Sequence, residues 1–119
     1  MAVSILVVDD DDGFRSLVAG MLRAAGHDRV YEAGTVAGAL SAAAQLRPEV
    51  ALVDIGLPDG DGLQLARELG LLADPPRIVL ISADADSADD VAARRVGAVG
   101  FVAKEQLDDA RLRRLLGGP

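Results

Sequence analysis

The sequence predicts an α/β protein with a doubly wound, five-stranded parallel sheet and helices on both faces. Short continuous apolar runs alternate with segments whose apolar residues recur at helical spacing. The runs are apolar on both faces, as expected for parallel strands covered on each side. Right-handed crossovers between them give the doubly wound arrangement. Five such units suit the flavodoxin-like order 2-1-3-4-5.

The elements follow in order. Ser4 to Val8 is the first strand, and Asp9, Asp10, Asp11 and Asp12 come directly after it. Phe14, Leu17, Val18, Met21, Leu22 and Ala25 then mark a helix that Gly26 can end in a left-handed cap. Asp11 or Asp12 is placed to cap its start. Val30 to Ala33 is a second strand. Thr35 is a candidate N-cap for a helix through Val36, Ala39, Leu40, Ala43 and Leu46, which Pro48 stops. Val50 to Val53 is the third strand. Asp61 is a candidate cap for a helix carrying Leu65, Ala66, Leu69 and Leu72, closed by Pro75 and Pro76.

Ile78 to Ile81 is the fourth strand and ends on Ser82. Ser87 can cap a helix with Ala88, Val91, Ala92 and Val96 on its inner side. Phe101 to Ala103 is the fifth strand, ended by Lys104. Leu107, Ala110, Leu112 and Leu115 suggest a last helix, its apolar face interrupted by Arg111, Arg113 and Arg114. Gly117 to Pro119 looks like a chain end or the start of a linker.

Size and composition bound the function. A chain of 119 residues is expected to be one domain spanning 1–119. Half the residues are hydrophobic but only 3% are aromatic, so Val, Leu, Ile and Ala must build the core. There is no cysteine, which excludes disulfides and thiolate metal sites. A net charge of −7 argues against direct nucleic-acid binding by this domain. The start, MAVSILVV, lacks the basic lead of a signal peptide, and no run approaches the ~20 apolar residues that span a bilayer. A cytoplasmic protein without membrane contact is the expectation.

The chemistry gathers at strand ends. In an open parallel sheet the carboxyl ends of the strands share one edge, where ligands bind. Here those ends carry Asp9 and Asp10, Asp54, Ser82 and Lys104. Each has an ordinary structural explanation: a turn aspartate, a serine serving local backbone, a lysine running its stem over apolar surface. Four strand ends of five with matched chemistry outweigh those separate explanations. Asp54, where the run VALV breaks into the loop IGLPDGDG, is the candidate reactive group.

Two carboxylates ~4 Å apart repel by about 4 kcal/mol at an effective dielectric near 20. Three of them need a cation, and Lys104 supplies one charge. Hard oxygen ligands without His or Cys favour Mg²⁺. A carboxylate beside Mg²⁺, an ammonium and a hydroxyl is equipped to accept a phosphoryl group as an acyl phosphate. His27, the only histidine, is expected in the turn after the first helix, away from this edge, and is given no role. A glycine-rich P-loop is absent.

The stretches ILVVDDDDGFR, VDIGLPDGDGLQL, IVLISA and GAVGFVAK, in this order, resemble the receiver domains of bacterial two-component response regulators, of the CheY-like kind, over essentially the whole chain. The resemblance implies that Asp54 is the phosphoacceptor, supplied by a sensor histidine kinase or a phosphotransfer protein. It implies Mg²⁺ held directly by Asp10, Asp54 and the main-chain carbonyl of Gly56, and by Asp9 mainly through water. It implies Ser82 as the switch hydroxyl, Phe101 as the switch aromatic and Lys104 as the partner of the phosphoryl oxygens. The implied output is a changed partner-binding surface, read by an effector domain or a homodimer partner. Such a domain catalyses its own phosphorylation and dephosphorylation but turns over no metabolite.

One departure is that family members usually follow the lysine with proline, often through a cis bond. Here Glu105 follows Lys104, and a cis bond to a non-proline residue costs roughly 2.5–4 kcal/mol. The last helix also lacks the acidic-basic pattern of members that pair through this end of the fold. Two other functions remain open on sequence grounds. One is a Mg²⁺-dependent phosphatase with an aspartyl nucleophile, although Gly56 stands where such enzymes place a second aspartate. The other is a receiver-like interaction module that is never phosphorylated.

Overall fold

Alternate side chains of the central strands feed two separate cores. Leu6, Val8, Ala51, Val53, Ile78 and Leu80 pack on one face of the sheet, and Ile5, Val7, Val50, Leu52, Val79 and Ile81 on the other. That is why these strands read as unbroken apolar runs: neither face meets water. The computed structural model describes residues 3–83 and 90–116.

The strands of the main sheet are β1 (Ile5–Val8), β2 (Val30–Ala33), β3 (Val50–Asp54), β6 (Arg77–Ser82) and β7 (Gly100–Ala103). They pair in parallel in the order β2-β1-β3-β6-β7. Two short strands, β4 (Gly56–Leu57) and β5 (Gly60–Asp61), form a separate antiparallel hairpin. With that hairpin set aside, the order is the expected 2-1-3-4-5. Helices α1 (Asp12–Ala24) and α5 (Asp109–Leu115) cover one face. Helices α2 (Val36–Leu46), α3 (Gly62–Gly70) and α4 (Asp90–Arg95) cover the other. Each fully buried Leu, Ile or Val in these layers contributes about 1.5–3 kcal/mol from burial.

Local chemistry fixes the helix ends. Asp11 caps α1 by accepting the Phe14 amide at 3.1 Å. Thr35 caps α2 through the Gly38 amide at 3.0 Å, and Asp61 caps α3 through the Leu63 amide at 2.8 Å. Gly26, with φ of 103°, closes α1 in the left-handed region that glycine tolerates. After α2, Arg47 takes the left-handed position (φ 49°) just before Pro48.

The last helix differs from the expectation. Lys104–Gln106 forms a 3-10 turn, and α5 begins only at Asp109, because Asp108 caps it by accepting the Arg111 amide at 2.8 Å. β3 also runs one residue further than the apolar run, so that Asp54 is its last member and pairs beside Ile81. No cis peptide bond occurs among the described residues, so Lys104–Glu105 is trans. The proposed Ser87 cap, Ala88 and the 117–119 tail lie outside the described residues.

Candidate functional site at the carboxyl edge of the sheet

Sheet register brings the candidate residues together as a staircase. Val8 pairs with Val53, so Asp9 and Asp54 each follow directly on paired residues. Asp54 pairs with Ile81, which Ser82 follows, and Ser82 pairs with Ala103, which Lys104 follows. Parallel pairing alone therefore delivers the cluster to one edge.

Carboxylate oxygens of Asp9, Asp10 and Asp54 lie within 4.8 Å of one another. Asp9 is fully buried, Asp54 is 5% exposed and Asp10 faces solvent. Asp9 Oδ1 accepts the Asp11 amide at 2.9 Å. Asp9 Oδ2 lies 2.7 Å from Lys104 Nζ, a buried ion pair. Asp54 Oδ1 accepts the Gly56 amide at 3.2 Å, while its Oδ2 is 3.5 Å from Lys104 Nζ.

The electrostatics follow from burial and crowding. Burial pushes the Asp54 carboxyl up to about 6, and the neighbouring Asp9 charge adds to this; the Gly56 amide and Lys104 oppose it. Burial alone would lower the Lys104 ammonium, but Asp9 and Asp54 outweigh it and raise the pKa. Three carboxylates against one ammonium leave the pocket short of positive charge. The oxygen donors and their spacing fit a hard divalent cation.

Ser82 is buried at the end of β6. Phe101 is half-buried on β7 and packs against the core shared by α2, α3 and α4. Gly56 is exposed at the start of the hairpin. His27 is far from this edge in function: its Nδ1 accepts the Val3 amide at 3.0 Å and ties down the chain before β1.

Three neighbours of the site, Arg15, Phe14 and Asp59, have no site role in the sequence pattern. Arg15 bonds the main-chain carbonyl of Asp9 at 2.7 Å, Asp12 at 2.7 Å and Glu32 at 3.1 Å, holding the acidic loop from outside. Its i,i+3 spacing from Asp12 was visible; its hold on Asp9 was not. Phe14 lies under the lysine, with Lys104 Nζ 4.7 Å from the ring centroid, a cation–π distance. Asp59 reaches from the hairpin to the Val36 and Ala37 amides of α2. Gly62 belongs to the same loop. A Cβ there would collide with the Asp54 carbonyl, so only glycine lets α3 start against the backbone of that residue.

A doubly wound sheet with three carboxylates and a lysine at its carboxyl edge defines an α/β protein whose chemistry sits at its strand ends. The family of response regulator receiver domains matches residues 5–116, and the chain belongs to that family. It is similar to the KDP operon transcriptional regulatory protein KdpE of Escherichia coli (strain K12), with 37% identity over 101 residues, 85% of this chain and 44% of that protein. It is similar to the crystal structure of NtrX from Brucella abortus, with 34% identity, a TM-score of 0.86, and coverage of 98% of this chain and 26% of that one. The fold also matches a CheY-like receiver domain protein from Methanospirillum hungatei JF-1, with a TM-score of 0.87 at 23% identity, covering 98% and 92% of the two chains. The chain spans less than half the length of KdpE or NtrX. Among the described residues, no helix is long and apolar enough to cross a membrane.

Proposed function

We propose that this receiver domain is a switch set by phosphorylation of Asp54, with Mg²⁺ as its cofactor. The observation that carries the reading is the buried Asp54 carboxylate, grouped with Asp9 and Asp10 and flanked by Lys104. An oxygen of Asp54 attacks the phosphorus of a phosphohistidine on a sensor kinase or phosphotransfer protein. The new O–P bond forms as the donor's N–P bond breaks, and the imidazole leaves with that electron pair. Asp10, Asp54 and the Gly56 carbonyl would hold the Mg²⁺, with Asp9 acting mainly through water. When bound, the ion offsets negative charge on the transferring oxygens. Lys104 stands ready to pair with those oxygens, and Ser82 supplies a hydroxyl that can donate to them.

The signal leaves through Ser82 and Phe101. A hydroxyl drawn toward the phosphoryl group frees space beside β7, where Phe101 is the large side chain. The changed face of α4, β7 and α5 is offered to an effector domain or to a second receiver. The protein turns over no metabolite. Residues 1–119 act as one receiver unit, and the similarity to KdpE supports a wider role in transcriptional control by a longer protein. Acetyl phosphate with Mg²⁺ should add one phosphoryl group by intact mass, and chelation of Mg²⁺ should suppress it. Steady release of phosphate from a monoester substrate would instead indicate a phosphatase.

A further inference from the structure

The hairpin after the phosphoacceptor is pinned to a helix that is remote from it in sequence. Asp59 lies at the turn of the hairpin, between Leu57 and Gly60, which pair with each other. Its Oδ1 accepts the Val36 amide at 2.7 Å and its Oδ2 accepts the Ala37 amide at 3.2 Å. These are the first two residues of α2, and Thr35 already serves the third amide, that of Gly38. The orphan donors at this helix start are thus shared between the helix's own cap and a carboxylate 22 or 23 residues away. The carboxylate also meets the positive end of the helix dipole.

A second contact joins the same surfaces. A Cβ at Gly60 would stand 3.0 Å from Val36 Cγ2, so the hairpin lies directly on the first turn of α2. At its other end the hairpin begins with Gly56, whose amide donates to Asp54 Oδ1. Asp61 anchors its exit by capping α3. Only Asp59 ties its tip to another layer through side-chain hydrogen bonds among the described residues.

We infer that Asp59 is a positioning residue, which sets the placement of Gly56 beside Asp54 by clamping the hairpin to the start of α2. The inference rests on the reading above only where it concerns Mg²⁺. Its structural half is independent: loosening the tip moves the Gly56 amide relative to Asp54. Thr35 provides the control, because it caps the same helix with no side-chain hydrogen bond to the hairpin among the described residues.

The test compares the wild type with Asp59→Ala, Asp59→Asn and Thr35→Ala in the intact chain. In metal-free protein, Asp59→Ala should shift the Gly56 and Asp54 amide resonances, while Thr35→Ala should leave them in place although both lower the melting temperature. With Mg²⁺ as the calorimetric probe, Asp59→Ala should weaken binding about 10-fold, Thr35→Ala less than about 2-fold, and Asp59→Asn, which keeps one acceptor, should fall between. Asp59→Asn carries the same comparison if the Ala variant does not fold. Unmoved Gly56 and Asp54 resonances in the Asp59 variants, or equal effects from Thr35→Ala, would overturn the inference. A wild type that binds no Mg²⁺ would overturn the functional reading instead and leave the metal-free comparison to decide the role of Asp59.

Discussion

Lys104 sits closer to Asp9 than to Asp54: its ammonium is 2.7 Å from Asp9 Oδ2 and 3.5 Å from Asp54 Oδ2. The lysine therefore balances Asp9 first and Asp54 second. A phosphoryl group on Asp54 would bring added negative charge and strong acceptor oxygens within its reach.

Lys104→Ala should accordingly leave Asp54 modifiable while removing most of the distal response. The acceptor loses no bond to the chain except the long contact to Nζ. Phosphorylation kinetics with acetyl phosphate and the phosphate-induced change in the spectrum of α4 and β7 would check this together. A wild-type spectral change in the Ala variant would make Lys104 a lysine without a signalling part.

Asp10 is the exposed member of the carboxylate group and makes no hydrogen bond among the described residues. Removing its charge with Asp10→Asn should weaken Mg²⁺ binding and slow phosphorylation. The metal-free fold should gain about 1 kcal/mol, the solvent-screened repulsion of unit charges near 4 Å. Metal titrations and urea melts in chelator test both halves. Unchanged Mg²⁺ affinity would remove Asp10 from the ligand set.

Asp59 predicts a pH dependence. The Val36 amide holds its carboxyl below the ordinary value; desolvation opposes this, and the Ala37 amide adds to it. Among the described residues it has no ion-pair partner, so the backbone amides of Val36, Ala37 and Asp59 itself are the relevant neighbours. A lowered folded pKa means that its contribution is fully present above the unfolded value, near 3.9, and is lost as pH falls through the folded value. The stability gap between wild type and Asp59→Asn should be largest at neutral pH and close in acid. Denaturant midpoints across that range decide the matter; a gap independent of pH would mean that ionisation of Asp59 plays no part.

Ser82 and Phe101 should carry the response outward. Both conformations must already be accessible, and the phosphoryl group biases them. A beryllofluoride complex should shift resonances of Ser82, Phe101 and α4. Ser82→Ala should abolish the distal shifts while Asp54 stays modifiable. Shifts confined to the loops around Asp54 would leave Phe101 as a core side chain that fills space beside α4.

The sheet was legible because the central strands are apolar on both faces, and the candidate cluster was legible because four of the five strands stop on polar residues. Asp54, Ser82 and Lys104 need only the register to meet. The contacts that hold this edge in shape were not legible, since their partners are backbone atoms or distant rings. Asp59 finds amides 22 and 23 residues back, Arg15 finds a carbonyl, and Lys104 finds Phe14 across the edge. No periodicity encodes such pairings. The late start of α5 had a local signal in Asp108, but the apolar spacing from Leu107 competed with it.

The central claim is that Asp54 alone accepts the phosphoryl group. Intact-mass analysis after incubation with acetyl phosphate and Mg²⁺ tests it most directly, with wild type and Asp54→Asn side by side. One added phosphoryl group is expected on the wild type and none on the Asn variant. Equal labelling of the two would contradict it.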